Sequence, residues 1–271
     1  QLGYVPQQNT IHMELTPYEA LDYSARLRLP ADTTARERRQ RVMSVLGTLG
    51  LLICKDRPIR KLSGGEQRRV SIGVELLAQP GLFFLDEATT GLDPAVERQM
   101  MHLLRDLTDQ GHTVLLVTHA TKNVLLCDLV VFLARDGYLA YYGPPREALT
   151  YFGVSDFDDI YDKLREERSP KAWAELYRQS EQYRKFVAAR LPQDYRAPRS
   201  TPRSKAIALQ PSGAPSNRVS AMRQFAILSR RNLNTLLRDK VSLALMLLMA
   251  PLVGVLDFLF WRPGIFAANG G

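Results

Sequence analysis

Ser63-Gly64-Gly65-Glu66 opens the stretch KLSGGEQRRVSIGVELL, Lys61 to Leu77. Its S-x-x-E spacing is that of a capping box, in which a Ser and a Glu satisfy each other's backbone N–H groups at a helix start. Two glycines inside such a start leave room for a phosphate to reach the unpaired N–H donors, where the helix dipole also favours an anion. Arg68 and Arg69 add positive charge close by. Further on, GLFFLDE ends in the carboxylates Asp86 and Glu87, and the aliphatic run Thr113 to Val117 ends in Thr118-His119. In open parallel sheets ligands bind at the carboxyl ends of the strands, so Asp86, Glu87 and His119 are expected to converge on one edge. Adjacent side chains leave a strand in different directions and divide the labour. Asp86 suits a Mg²⁺ ion held through a water, and Glu87 suits orienting or deprotonating an attacking water. Taken alone, the SGG stretch would be only a helix cap; followed in order by an apolar strand, Asp-Glu, Gly-Leu-Asp and a strand-terminal His, it is a specific pattern.

The elements that must position these groups are legible from period and punctuation. Thr16-Pro17-Tyr18-Glu19 and Thr34-Ala35-Arg36-Glu37 repeat the capping spacing of Ser63 to Glu66, with Pro17 at a first helical position. Val70, Ile72, Val74, Leu76 and Leu77 suit a mostly buried helix behind Ser63. The run Leu82 to Leu85 reads as a strand buried on both faces of a parallel sheet, and a helix from Ala95 to about Asp109 leads to the second strand, a β-α-β alternation. Asp93 before Pro94 is placed to cap that helix. Leu129 to Leu133 and Tyr138 to Tyr142 flank Arg135-Asp136-Gly137, a hairpin turn that ends the sheet with an antiparallel pair. Tyr138, Tyr141 and Tyr142 are read as hairpin packing, and His12, His102 and His112 as structural.

With 271 residues and 45% hydrophobic content, the chain is globular and has a sizeable core. Cys54 and Cys127 are far apart and without metal-ligand spacing, which gives two reduced, buried packing residues. The net charge of +8 is clustered. Ser155 to Arg190 is charged and loosely helical, whereas Leu191 to Asn217 is rich in Pro, Ser and Arg and reads as a flexible linker. No aromatic residues interleave the linker arginines, so nucleic acid is not the expected partner; anionic lipid is. In AMRQFAILSRRNLNTLLRDK, Phe225, Leu228, Leu236 and Leu237 alternate with Arg223, Arg230, Arg231 and Arg238, an amphipathic helix for a membrane surface. Val241 to Trp261 is apolar for long enough to cross a hydrocarbon core of about 30 Å. Basic residues on its amino side put that side in the cytoplasm, Pro251 is tolerable in a packed membrane helix, and Asp257 should face other helices or the outer interface.

Through these motifs the chain resembles the later part of an ATP-binding-cassette (ABC) transporter ATPase. LSGGEQ matches the family signature, LFFLDE its Walker B strand with the catalytic acid, TGLD its D-loop, VTHA its switch histidine, and Gln7 in GYVPQ its Q-loop glutamine. An ATPase domain followed by a linker, a basic amphipathic helix and membrane helices is similar to G-subfamily half-transporters, as are TTGLD and YYGPPREALTYFG; Gln8, Gln67 and Arg68 depart from common usage there. The resemblance implies an α/β fold: a partial P-loop NTPase (ABC ATPase) domain with a helical subdomain and a mainly parallel sheet. The implied ligands are ATP and Mg²⁺. Glu87, His119 and Gln7 would be catalytic, with Asp86 and Gln7 toward the metal. Ser63, Gly64, Gly65 and Glu66 would face the γ-phosphate of ATP held on the P-loop of a second half-transporter subunit, homo- or heteromeric. Asp93 would add a place at the dimer interface to its capping role.

The implied domains are the ATPase part at 1–152, a charged helical segment and linker at 153–220, an interfacial connecting helix at 221–240 and a first transmembrane helix at 241–262. No G-x-x-x-x-G-K-[ST] pattern occurs in the sequence. In the family that loop precedes the Q-loop, so the amino-terminal part is expected to be missing, and further membrane helices with it at the other end. The function expected is an ATP-hydrolysing transporter subunit in the cell membrane, its ATPase domain cytoplasmic, moving an unknown substrate. The rival readings are a soluble ABC-type ATPase acting on ribosomes or nucleic acid, and a non-catalytic scaffold subunit.

Overall fold

The computed structural model describes residues 2–8, 10–191 and 220–260. The linker expected after Leu191 and the residue Trp261 lie outside the described residues; Asp257 is inside a helix, but its side chain is not among those described. The chain forms two compact units, each built from separated segments.

One unit comprises residues 1–8 and 80–216. Its centre is a parallel sheet of β1 (Leu2–Val5), β2 (Leu82–Asp86) and β3 (Thr113–Val117) in that order. The register pairs Val5 with Leu85 and Asp86 with Val117, so β2 and β3 finish at the same edge. Helix α4 (Pro94–Asp109) makes the β2-to-β3 connection, as the β-α-β alternation requires. Its start is fixed by Asp93, whose carboxylate accepts from the N–H groups of Ala95 and Val96 at 3.1 and 3.0 Å.

Among the described residues strand β2 is covered on one face only. Phe83 and Leu85 are buried, but Leu2, Leu82, Leu115 and Val117, which share the opposite face by register, are exposed. A continuous apolar run tells that either face tolerates burial; what packs on each face decides which one is buried, and only one set of alternate residues is covered here. His112 packs edge-on to Phe83, with ring centroids 5.4 Å apart, and its Nδ1 lies 2.8 Å from the Pro80 carbonyl oxygen, a structural role as expected.

The antiparallel pair β4 (Val130–Leu133) and β5 (Leu139–Gly143) is a separate two-stranded sheet, not the end of the parallel one. Asp136 and Gly137 reverse the chain between them with φ of 60° and 75°, the left-handed region that Gly enters at no steric cost. The pair instead meets α5 (Pro145–Phe152), α6 (Asp158–Glu166) and α7 (Pro170–Gln179) around a second core. Tyr141, Phe152, Trp173 and Tyr177 form its middle, and the hydroxyls of Tyr141 and Tyr177 donate to the carbonyls of Pro144 and Tyr142 at 2.9 and 2.8 Å. Burial thus costs these phenols no hydrogen bond. A π-helical turn, Tyr183–Ala188, closes the segment. Cys127 is only half-buried, unlike Cys54, because it sits at the end of a short surface turn; both thiols are free.

The other unit, residues 9–79 and 217–271, is helical. Helices α1 (Pro17–Arg28), α2 (Ala35–Thr48) and α3 (Gly64–Leu76) each begin with the expected capping box, at Thr16 with Glu19, Thr34 with Glu37 and Ser63 with Glu66. They close over Leu21, Leu46, Leu49 and Ile72. Gly73 of α3 leaves no room for a side chain against its neighbours: a Cβ there would lie 2.8 Å from Leu49 Cδ1 and 3.4 Å from Leu21 Cδ2. At the far end of α3, Arg41 donates to the carbonyls of Leu76 and Leu77 at 2.8 and 3.3 Å, satisfying acceptors that a helix end leaves open.

Helix α8 (Ala221–Arg238) packs on α1 through Asn234, which bonds the Tyr23 hydroxyl at 2.5 Å, and through Arg238, which donates twice to Glu19 at 2.6 Å. Its Met222, Phe225, Leu233 and Leu237 remain exposed. Helix α9 (Lys240–Phe260) follows at once and carries exposed apolar side chains at its described positions from Leu245 to Met249. Among the described residues no single helix is long and apolar enough to cross a membrane. The pair Ala221–Arg238 and Lys240–Leu256, bent by 90°, has the length and composition only when taken together.

Two expected outcomes test this packing. Leu21→Ala removes a fully buried side chain beside Gly73, and urea unfolding should show a loss of about 2–5 kcal/mol. Glu66 is held below the usual carboxylate range, first by the Ser63 N–H it accepts and then by the Ser63 hydroxyl. A depressed folded value means that the cap stabilises above the unfolded value near ~4.3 and is lost as pH falls through the lower folded one. Glu66→Gln should therefore flatten the acid limb of the stability–pH curve below about pH 4.3, and an unchanged acid limb would count against this cap.

Candidate functional site

The carboxyl edge of the parallel sheet gathers the polar groups of the first unit. Asp86 is the last residue of β2, and Glu87 follows with φ of 45°, a left-handed backbone that a non-glycine residue seldom adopts. Its conformation is held from several directions. The Glu87 N–H donates to the Val117 carbonyl at 2.9 Å, extending the β2–β3 ladder by one bond, and the Glu87 carbonyl accepts from the Thr90 N–H at 3.1 Å. On the side chain, Gln7 Nε2 donates to Oε2 at 2.8 Å and the Thr90 hydroxyl at 3.2 Å. The carboxylate is partly open to solvent, positioned but not sealed.

Asp86 accepts a hydrogen bond from the Tyr4 hydroxyl at 3.3 Å. Tyr4 stands opposite Phe84 in the β1–β2 register, on the face that Asp86 shares two residues on, which is why its phenol reaches that carboxylate. Gln7, Asp86 and Glu87 are thus brought together at one end of the sheet, and Tyr4 and Thr90 join them without having been singled out in the sequence.

His119 lies two residues past the end of β3, on the loop leaving the same edge, and its imidazole is exposed. The loops after β2 and β3 are tied to each other by the hydroxyls of Thr89 and Thr118, 3.2 Å apart, with Thr89 buried. Asp93 follows Gly91, whose φ of 76° turns the chain from the site into α4.

Ser63, Gly64, Gly65 and Glu66 belong to the helical unit. Ser63 and Gly64 are exposed and Gly65 is buried. Glu66 Oε2 accepts from the Ser63 N–H at 2.8 Å and from its hydroxyl at 2.9 Å, and the Glu66 N–H donates back to Ser63 Oγ at 3.3 Å. The box consumes two donors and orients the start of α3, while the first helical residue, Gly64, presents bare backbone to solvent. Arg68 is buried, so its charge is not displayed at the surface beside Gly64 as the sequence suggested; Gln67 instead donates to the carbonyls of Ile59 and Leu62, both at 3.1 Å, and anchors the turn before the helix.

The single carboxylate of Asp86, next in sequence to the Glu87 that binds the Gln7 amide, suits an ion such as Mg²⁺, which keeps waters and takes phosphate oxygens to complete its shell; it does not suit an ion needing an all-protein cage. Among the described residues no group of three or more His, Cys, Asp or Glu side chains is placed to hold a metal.

Residues 1–90 match the family described as ABC transporter. The chain is 36% identical over 257 residues to the ABC transporter ATP-binding/permease protein Rv1747 of Mycobacterium tuberculosis, covering 95% of this chain and 28% of that protein. It is 40% identical to ABC transporter G family member 22 of Arabidopsis thaliana, over 56% of this chain and 21% of the relative. It is also 40% identical to the broad substrate specificity ATP-binding cassette transporter ABCG2 of Bos taurus, over 57% of this chain and 25% of the relative. The chain therefore spans about a quarter of the length of these curated relatives. With these matches the chain is an ABC ATP-binding protein of G-subfamily-like type.

Proposed function

We propose that this chain is the ATP-hydrolysing part of an ABC half-transporter that couples ATP binding and hydrolysis at a dimer interface to movement of a substrate across a membrane. The observation that carries the reading is the 2.8 Å bond from Gln7 to Glu87 beside Asp86, at the carboxyl end of a parallel strand. Glu87 acts as the base or orienting group for the attacking water; its left-handed backbone and the amide of Gln7 aim the carboxylate before substrate arrives. His119 contacts the γ-phosphate. Asp86 and Gln7 are the residues of this chain that would hold Mg²⁺, which when bound would neutralise phosphate charge. Ser63, Gly64, Gly65 and Glu66 offer a helix start to ATP held by the second subunit, and Asp93 joins that interface while capping α4.

Coupling runs through α8. Arg238 grips the Glu19 carboxylate, which at the same time accepts from the Thr16 N–H at 2.9 Å and so caps α1. The exposed apolar side chains of α8 rest on membrane lipid, and α9, which has the length and composition of a span only together with α8, leads into the membrane as part of the first transmembrane segment, with the ATPase part on the cytoplasmic side of the cell membrane. The clustering of basic residues on α8 favours lipid over nucleic acid as the anionic partner.

In the full-length protein, Glu87→Gln should leave ATP binding intact and lower kcat by about 10²–10⁴-fold, the usual share of a positioned base. Wild-type turnover in that variant would remove Glu87 from this role. The 271 residues by themselves, which contain no G-x-x-x-x-G-K-[ST] sequence, should show no Mg-ATPase activity above background in a phosphate-release assay, and appreciable activity would overturn the requirement for a P-loop.

A further inference from the structure

The loop that carries His119 is fastened at three points. At its start the Thr118 hydroxyl accepts from the Ala120 N–H at 3.0 Å and meets Thr89. At its middle, Thr121 is buried and its hydroxyl donates to Asp158 Oδ1 at 2.5 Å. At its end, Asn123 Nδ2 donates to Glu97 Oε1 of α4 at 2.7 Å. Between these ties only the imidazole of His119 and the side chain of Lys122 stand exposed.

The Thr121 contact is unlike the other two. Thr89 and Glu97 sit on the β2–α4 connection and on α4, elements that the nucleotide edge already contains. Asp158 is the first residue of α6, in the charged segment beyond the hairpin that the motifs do not reach. The start of α6 is itself shaped to hold that carboxylate, since the Asp158 N–H donates to Asp156 Oδ1 at 3.1 Å and Ile160 and Leu164 bury the helix against the aromatic core. A buried hydroxyl donating to a carboxylate is a charge-assisted bond, stronger than a neutral one and costly to break on one side only.

We infer that Thr121 and Asp158 are positioning residues for His119, so that α6 serves the nucleotide site as a brace. This rests on the reading of His119 as a γ-phosphate contact. Thr121 lies two residues after His119, so pinning its side chain fixes the backbone on that side of the imidazole. Freed at that point, His119 would still reach the phosphate but would sample orientations that do not stabilise the transition state, a loss expressed in kcat and not in substrate binding.

The test is steady-state hydrolysis of Mg-ATP by the full-length protein. Thr121→Val and Asp158→Ala should each lower kcat roughly tenfold, with KM for Mg-ATP within about twofold of wild type. Thr121→Ser, which keeps the hydroxyl, and Asp158→Asn, which keeps an acceptor oxygen, should restore most of the rate. Asp162→Asn, one turn along the exposed side of α6, should run at the wild-type rate. Wild-type kcat in Thr121→Val and Asp158→Ala overturns the inference, and so does a loss that the conservative variants fail to restore or that Asp162→Asn shares. Should Thr121→Val not fold, Asp158→Ala decides, because Asp158 is exposed. His119→Ala separates the two levels. If it turns over at the wild-type rate, the role of His119 falls and the brace with it; if it is inactive while Thr121→Val and Asp158→Ala are unaffected, only the brace falls.

Discussion

The hydrogen bond from the Glu87 N–H to the Val117 carbonyl fixes more of the geometry at the sheet edge than its energy suggests. It carries the β2–β3 ladder one residue past Asp86 and so holds Glu87 at the sheet edge while the chain is already turning away. That turn needs a positive φ, which costs a non-glycine residue of order 1–3 kcal/mol and persists only where the surroundings over-determine it. Thr90 from ahead and Gln7 from β1's end supply that constraint, the first through backbone and hydroxyl, the second through its amide. The strain and the aim of the carboxylate are one feature. A relaxed backbone at residue 87 would direct the side chain along the strand's alternation and away from Gln7.

A comparable economy is visible in the helical unit, where single carboxylates serve two purposes. Glu19 caps α1 by accepting from Thr16 and also receives both arms of Arg238 from the last turn of α8. Its partial burial works against the charged form, yet the Arg238 and Thr16 hydrogen bonds outweigh it and hold the carboxyl below its usual range. A cation in the last turn of a helix also faces the negative end of the helix dipole, so Arg238 is favoured there before any partner is considered. The fork geometry of a guanidinium on a carboxylate sets direction as well as distance, which is what a rigid joint between two helices requires.

How much of this could be read in advance depends on how far apart in sequence the interacting groups are. The capping boxes at Thr16, Thr34 and Ser63 each join residues three apart, and all form as read. The turn at Asp136-Gly137 and the cap of α4 at Asp93-Pro94 are equally local. By contrast, Tyr4 and Asp86 are 82 residues apart and Thr121 and Asp158 are 37 apart, and no spacing rule links them. They meet because strand register and helix docking bring them there. The burial of Arg68 has the same origin: its position in the signature segment suggested displayed charge, but the turn of α3 that it occupies faces inward.

By itself the sequence determined the residue types at each strand end and helix start, the order of the motifs and the local backbone of caps and turns, because those follow from side chains within a few residues of one another. Tertiary structure alone decided that one face of β2 is covered and the other is not, that β4 and β5 form a sheet of their own, and that Glu87 is strained toward Gln7. Each of these depends on which surfaces come into contact, and the pattern of apolar residues states only which surfaces are able to.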